Sequence, residues 1–228
     1  MAGEKKLIPT WRLLTMAAIA GALAGAVAVY VTGALSGNNE EPSSAAVVNG
    51  AAADAACAAK ATKAKLVADA ASGEVAAMVQ ADPPQSVKTL AFNAPDGTAM
   101  TMADRAGKTV LMNLWATWCA PCRAEMPALN ALQKEMGSDS FEVVAVNVDT
   151  GDDVKPKKFL ADTGVDTLAY YREPTLDLFN ELKMRGLALG LPVTMLIDGE
   201  GCLLAHMNGP AEWDSADAKR FLAAAAAR

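Results

Sequence analysis

Histidine is almost absent from this chain: His206 stands alone among 228 residues. One imidazole rules out a multi-histidine metal site and disfavours a histidine-based catalytic centre, so His206 reads as an ordinary strand residue. Aromatic residues are scarce at 5%. Basic residues are outnumbered, 20 against 26 acidic, for a net charge of −6. An acidic chain without a basic patch interleaved with aromatics argues against a nucleic-acid partner. The apolar fraction of 52% is inflated by alanine. The length allows one or two domains. Cysteines are few but even in number, four in all.

Two of the four lie two residues apart in Trp115-Ala116-Thr117-Trp118-Cys119-Ala120-Pro121-Cys122. The apolar run Thr109–Trp115 precedes them and a helical pattern follows, so the pair stands between a strand and a helix. Cys119 at the helix start puts Cys122 one turn on, along the same face. The sulfurs can then close or open a small ring with little backbone movement. The helix N-terminus stabilises a thiolate at Cys119, which makes it the attacking sulfur. Cys122, further inside, resolves the mixed disulfide. Trp115 reads as core, and Trp118 as a surface offered to partners beside the reactive sulfur. Two other readings compete. One is a buried structural disulfide. The other is a zinc site completed by Cys202 and His206.

Val110–Cys122 (VLMNLWATWCAPC), with Arg123-Ala124-Glu125-Met126-Pro127 behind it and Leu191-Pro192-Val193-Thr194 later, resembles the thioredoxin fold. More narrowly it resembles the membrane-anchored TlpA/ResA/CcmG-type thiol–disulfide oxidoreductases of bacteria, from about Lys88 to the C-terminus, and the four cysteines with the anchor bring it nearest the TlpA type. The resemblance implies an α/β fold, a central mixed sheet with helices on both faces. It implies a cis-proline at Pro192 facing the dithiol, with the main chain of Leu191 pairing with an extended substrate. It implies a working glutamate at Glu125, as general base for Cys122. From the helix alone, Glu125 is a solvated first-turn carboxylate favouring the dipole. Asn113, six residues before Cys119, departs from thioredoxin, which has a buried acid there. Pairing of Cys57 with Cys202 is the economical reading of the remaining cysteines and resembles the TlpA type; two buried free thiols are the alternative. Such a bridge closes a loop worth roughly 2–5 kcal/mol.

In chain order, residues 1–12 carry Lys5, Lys6 and Arg12 against Glu4. Leu13–Val31 holds no charge, close to the ~20 residues that cross a bilayer. Basic residues before it and acidic ones after it place the N-terminus inside. We expect an uncleaved signal anchor over 13–34; a cleaved signal peptide is the alternative, though the small-residue pattern at Gly33-Ala34-Leu35-Ser36 is weak. Residues 35–50 read as a linker. Residues 51–228 form the exported domain, of which 51–80 is an added helical segment with one helix over Ala51–Ala71. A hairpin is expected around Pro95-Asp96-Gly97, and a second around Asp198-Gly199-Glu200-Gly201. Phe141–Val148 is a buried strand parallel to the first. Pro156–Thr163 and Leu176–Met184 are helices, Leu168–Tyr171 a short strand, and Glu212–Ala227 the closing helix.

The function implied by the resemblance is reduction of disulfides in partner proteins at the outer face of the bacterial inner membrane. The TlpA type points to copper-site assembly, with a Sco-type copper chaperone or cytochrome oxidase subunit II as substrate. The ResA and CcmG types point to apocytochrome c in haem attachment. A DsbD/CcdA-type membrane thiol transporter would supply electrons. No metal or other cofactor is expected, since the dithiol is the reagent. A copper- or zinc-carrying role for Cys119 and Cys122 is the non-catalytic alternative. A peroxidase of peroxiredoxin type needs a Thr three residues before its cysteine, and Trp-Ala-Thr-Trp-Cys lacks it.

Overall fold

The computed structural model describes residues 44–226. The expected tail 1–12, anchor 13–34 and most of the linker lie outside the described residues. The residues from Val48 onward form one compact unit. Among the described residues no helix is long and apolar enough to cross a membrane.

In order, the elements are α1 (Ser44–Ala58), α2 (Ala61–Asp69), β1 (Val79–Gln80), β2 (Ala91–Asn93), β3 (Ala99–Thr101), β4 (Thr109–Trp115), α3 (Ala120–Met136), β5 (Phe141–Asn147), α4 (Val154–Asp162), β6 (Tyr171–Arg172), α5 (Asp177–Met184), β7 (Val193–Ile197), β8 (Leu203–Asn208) and α6 (Ala216–Ala226). One sheet joins the strands in the order β1-β8-β7-β4-β5-β6-β2-β3. It is mixed: β4 runs parallel to β5 and antiparallel to β7. Every residue of β4 after Thr109 is buried, as is every residue of β7. A strand buried on both faces needs cover on both, which is why its sequence is a continuous apolar run rather than an alternating one.

Both expected hairpins form: β2 pairs with β3 across the Pro95-Asp96-Gly97 turn, and β7 with β8 across Asp198–Gly201. β6 sits three residues later than expected, over Tyr171–Arg172, where it pairs with β5. α3 runs through Pro127 unbroken.

The N-terminal addition differs from the single helix expected over Ala51–Ala71. It begins within the linker expected over 35–50, at Ser44, and breaks between Ala58 and Ala61. The break lets two neighbours reach one hairpin. Cys57 is disulfide-bonded to Cys202, and the Lys60 ammonium lies 2.6 Å from Asp198 and 2.9 Å from Glu200. α2 then packs Ala64 and Val67 inward, against β8 and α6. The segment 51–80 is also not wholly helical, for it ends in β1, whose Val79 and Gln80 extend the sheet beside His206 and Ala205. Two residues are too few to show a strand period, so pairing with β8 alone defines this strand.

The closing helix begins at Ala216 rather than Glu212. Ser215 caps it, its hydroxyl oxygen accepting the N–H of Ala218 at 3.1 Å. The four residues before it turn instead, and that turn carries Trp213 into the core, fully buried.

Candidate active site

The dithiol stands where β4 and β5 end side by side, the end of a parallel pair at which open α/β sheets place their sites. β4 finishes at Trp115, whose buried ring lies 5.7 Å from Phe159 of α4. The chain is then held by its neighbour strand. Asp149, at the end of β5, accepts the Thr117 N–H at 2.8 Å, the Thr117 hydroxyl at 2.7 Å and the Asn147 amide at 2.7 Å. A loop so tied has little freedom, and the next residues are Trp118 and Cys119.

Cys119 is the N-cap of α3, with Pro121 in the first turn, where a missing N–H costs nothing. Its sulfur accepts the N–H of Cys122 at 3.2 Å. Cys119 and Cys122 are joined as a disulfide, so this is the oxidised form. Cys119 keeps 6% of its surface exposed and Cys122 none. On reduction, the same N–H and the helix dipole would favour a thiolate at Cys119, the outer sulfur.

One turn further along α3 lies Glu125, only 3% exposed. Its Oε1 accepts the Asn113 amide at 2.9 Å; Oε2 accepts the Ala211 N–H at 3.1 Å and the Trp213 indole N–H at 3.0 Å. Burial pushes its carboxyl up to about 7, against the pull of those three donors, and the nearby Glu212 charge adds to the rise. A solvated first-turn glutamate is therefore not what the fold makes of this residue. The Asn113 amide donates also to the Thr194 hydroxyl at 2.9 Å, while its own Oδ1, buried, has no partner among the described residues. Asn113 thus stands under Glu125, in the place where thioredoxin keeps an acid.

The Leu191–Pro192 bond is cis. Pro192 immediately precedes Val193, the partner of Leu114 on β4, so it lies at the sheet end from which the dithiol loop emerges. Among the described residues no main-chain hydrogen bond is made by Leu191. The segment before it is latched by Asn208, which accepts the Leu189 N–H at 2.7 Å and donates to the Leu187 carbonyl at 3.1 Å. Trp118 is 64% exposed and Leu189 85%. A cleft of about 800 Å³ opens beside Trp118, bounded by Thr117, Arg123, Lys155 and Phe159.

The family model for Redoxin matches residues 79–222. The chain belongs to the Redoxin family. Among curated relatives of this Redoxin-family chain is the thiol:disulfide interchange protein HelX of Rhodobacter capsulatus, 37% identical over 107 residues, 46% of this chain and 55% of HelX. The thiol-disulfide oxidoreductase ResA of Bacillus subtilis is 31% identical over 116 residues, 50% of this chain and 60% of ResA. The chain spans between about a third and six-tenths of the length of such relatives. Among solved structures, a thioredoxin-family thiol:disulfide interchange protein of Chlorobium tepidum is 25% identical with a TM-score of 0.51, covering 62% of this chain and 97% of its own. The fold is thus thioredoxin-like, as the motif resemblance implies.

The remaining candidates of the Redoxin-family chain lie apart from the dithiol. Cys202 is bonded to Cys57, both 2% exposed, and so is not available to a zinc site with Cys119 and Cys122. His206 sits on β8 facing the added strand β1; burial pulls its imidazole below the usual range. Three residues of the site carried no signal in the sequence. Asp149 falls just past the strand expected over Phe141–Val148, Asn208 beyond the hairpin expected around Asp198–Gly201, and Trp213 inside the helix expected over Glu212–Ala227. Each acts through a partner more than fifteen residues away, and neither periodicity nor local spacing reports such pairs.

Proposed function

We propose that this chain is a thiol–disulfide oxidoreductase that reduces disulfides in partner proteins. The observation that carries the reading is the dithiol capping α3, its outer cysteine the more exposed of the two and its inner one a single turn from a buried carboxyl of raised pKa. In the reduced chain, the Cys119 thiolate attacks one sulfur of the partner disulfide. A mixed disulfide forms and the partner's other sulfur leaves as thiolate. Glu125 takes the proton of Cys122, which attacks Cys119 Sγ. The Cys119–Cys122 disulfide forms, the second partner sulfur is released, and Glu125 returns its proton to it. Two electrons pass to the partner. Trp118 and the main chain of Leu191, beside Pro192, bind the segment around the partner cysteine; an extended backbone pairs there as in strand addition.

The setting that the apolar run and the resemblance together support is an anchor over 13–34 in the bacterial inner membrane, with the domain outside. The partners favoured are proteins whose cysteines must be reduced to take a metal, a Sco-type copper chaperone or cytochrome oxidase subunit II, with a DsbD/CcdA-type transporter as electron donor. The resemblance to the ResA and CcmG types, with a relative named ResA among the matches, supports a second reading, reduction of apocytochrome c cysteines. No cofactor beyond the dithiol is invoked.

The first test is the reduction potential of Cys119–Cys122. A value near or below about −270 mV supports a reductant; one near about −120 mV marks an oxidant and removes the copper and haem readings. The second is trapping. In cells, Cys122→Ser is expected to leave Cys119 in a mixed disulfide whose partner, identified by mass spectrometry, separates the copper from the haem route. A lack of any adduct would sink the order assigned to the two cysteines.

A further inference from the structure

Helix α3 carries Glu125 but supplies none of its hydrogen-bond partners. Asn113 comes from β4, and Ala211 and Trp213 from the segment between β8 and α6. That segment is aimed inward at its start. Gly209 has φ +104, a conformation other residues rarely adopt, and its N–H is bonded to the Pro192 carbonyl at 2.9 Å. Trp213 is wholly buried. An indole N–H is a donor only, and a buried one needs an acceptor; the one it has is Glu125 Oε2.

The two carboxyl oxygens are thereby made unlike. Oε2 receives two donors, neither of which can turn to accept, so a proton there would displace at least one of them. Oε1 receives only Asn113, whose amide can rotate to present Oδ1, the buried oxygen that now lacks a partner. Of the charged or titratable groups, Glu212 on the β8–α6 segment acts on Glu125, and Cys122 precedes it by one turn on its own helix. β4 and β7 contribute the neutral Asn113 and Thr194. Among the described residues no cation pairs with Glu125.

We propose that Trp213 is a positioning residue of the exchange reaction: with the Ala211 N–H it holds Oε2 of Glu125 as a fixed anchor, so that the proton of Cys122 is taken and returned at Oε1. This rests on the reading of Glu125 as the base. Losing the indole donor weakens the ionised carboxyl, so Glu125 would hold its proton to higher pH.

The test uses the full chain, with labelled Glu carboxyl carbon and labelled indole nitrogen followed by NMR across the titration of Glu125. In the wild type, one of the four tryptophan indole signals is expected to move with the midpoint of the Glu125 carboxyl, and to stop doing so in Glu125→Gln. Trp213→Phe should raise that midpoint by about one pH unit. The rising limb of the rate for reducing a disulfide-bonded peptide should shift by the same amount, with its high-pH plateau kept. A merely structural tryptophan would lower stability and rate at every pH and leave the midpoint in place, and that result overturns the proposal. Should Trp213→Phe not fold, the wild-type indole titration decides alone: no indole signal sharing the midpoint overturns it. A rate profile that keeps its shape in Glu125→Gln removes the base reading and the proposal together, even where the midpoints move.

Discussion

Glu125 shows how one residue's chemistry is set by what surrounds it. In water its carboxyl would ionise near 4.5; in the fold it does so at about 7. The folded state binds this proton more tightly than the unfolded chain does. Stability from Glu125 is therefore fully present below about 4.5 and is lost as pH rises through about 7. The size of the loss is on the order of 3 kcal/mol. Glu125→Gln should abolish this slope and melt later than the wild type above pH 7, as thermal denaturation across the pH range would measure. The orphan Asn113 Oδ1 gives the glutamine amide a partner once Asn113 rotates. A wild type with no excess loss of stability over that window would contradict the raised carboxyl. Asn113 and Glu125 were both visible in the sequence as candidates, but their contact was not. They are twelve residues apart on a strand and a helix, and only the crossing of the two brings them together.

Among the elements, the β4–α3 unit could be read from sequence because each of its signals is local. An apolar run gives a strand buried on both faces, and Pro121 sits in the first turn of a helix capped by Cys119. The strap that fixes this unit is not local. Asp149→Ala would leave the Thr117 N–H, its hydroxyl and the Asn147 amide without their acceptor. It should cost about 2–3 kcal/mol in denaturant unfolding and speed amide exchange at Thr117. The added helices pose the opposite case. Their alanine-rich sequence forms helix readily, yet it has little to bury; of α2 only Ala64 and Val67 are buried. What holds them is the Cys57–Cys202 bridge and the Lys60 contacts to the β7–β8 turn. The double change Cys57→Ser, Cys202→Ser should cost about 2–5 kcal/mol. Hydrogen-exchange protection should fall first in α1 and α2, with disulfide reduction by Cys119 and Cys122 kept. Loss of dithiol activity with the sheet intact would mean the addition does more than brace.

For the whole molecule, the sequence by itself determined both hairpins, the strand and helix on either side of the dithiol and the parallel pairing of β4 with β5, and its motifs carried the resemblance that implies the thioredoxin-like class. These follow from hydrophobic period, turn residues and a short motif, all written within a few residues of where they act. The tertiary structure decided the rest. It split the first helix so that Cys57 and Lys60 could both reach one hairpin, and it made a strand of Val79–Gln80 by laying it beside β8. It delayed the last helix to Ala216 so that Trp213 could enter the core. Above all it turned Glu125 from a surface carboxylate into a buried one held by three distant donors. Burial and long-range hydrogen bonds depend on which surfaces meet, and a linear pattern carries only the tendency of each segment to form.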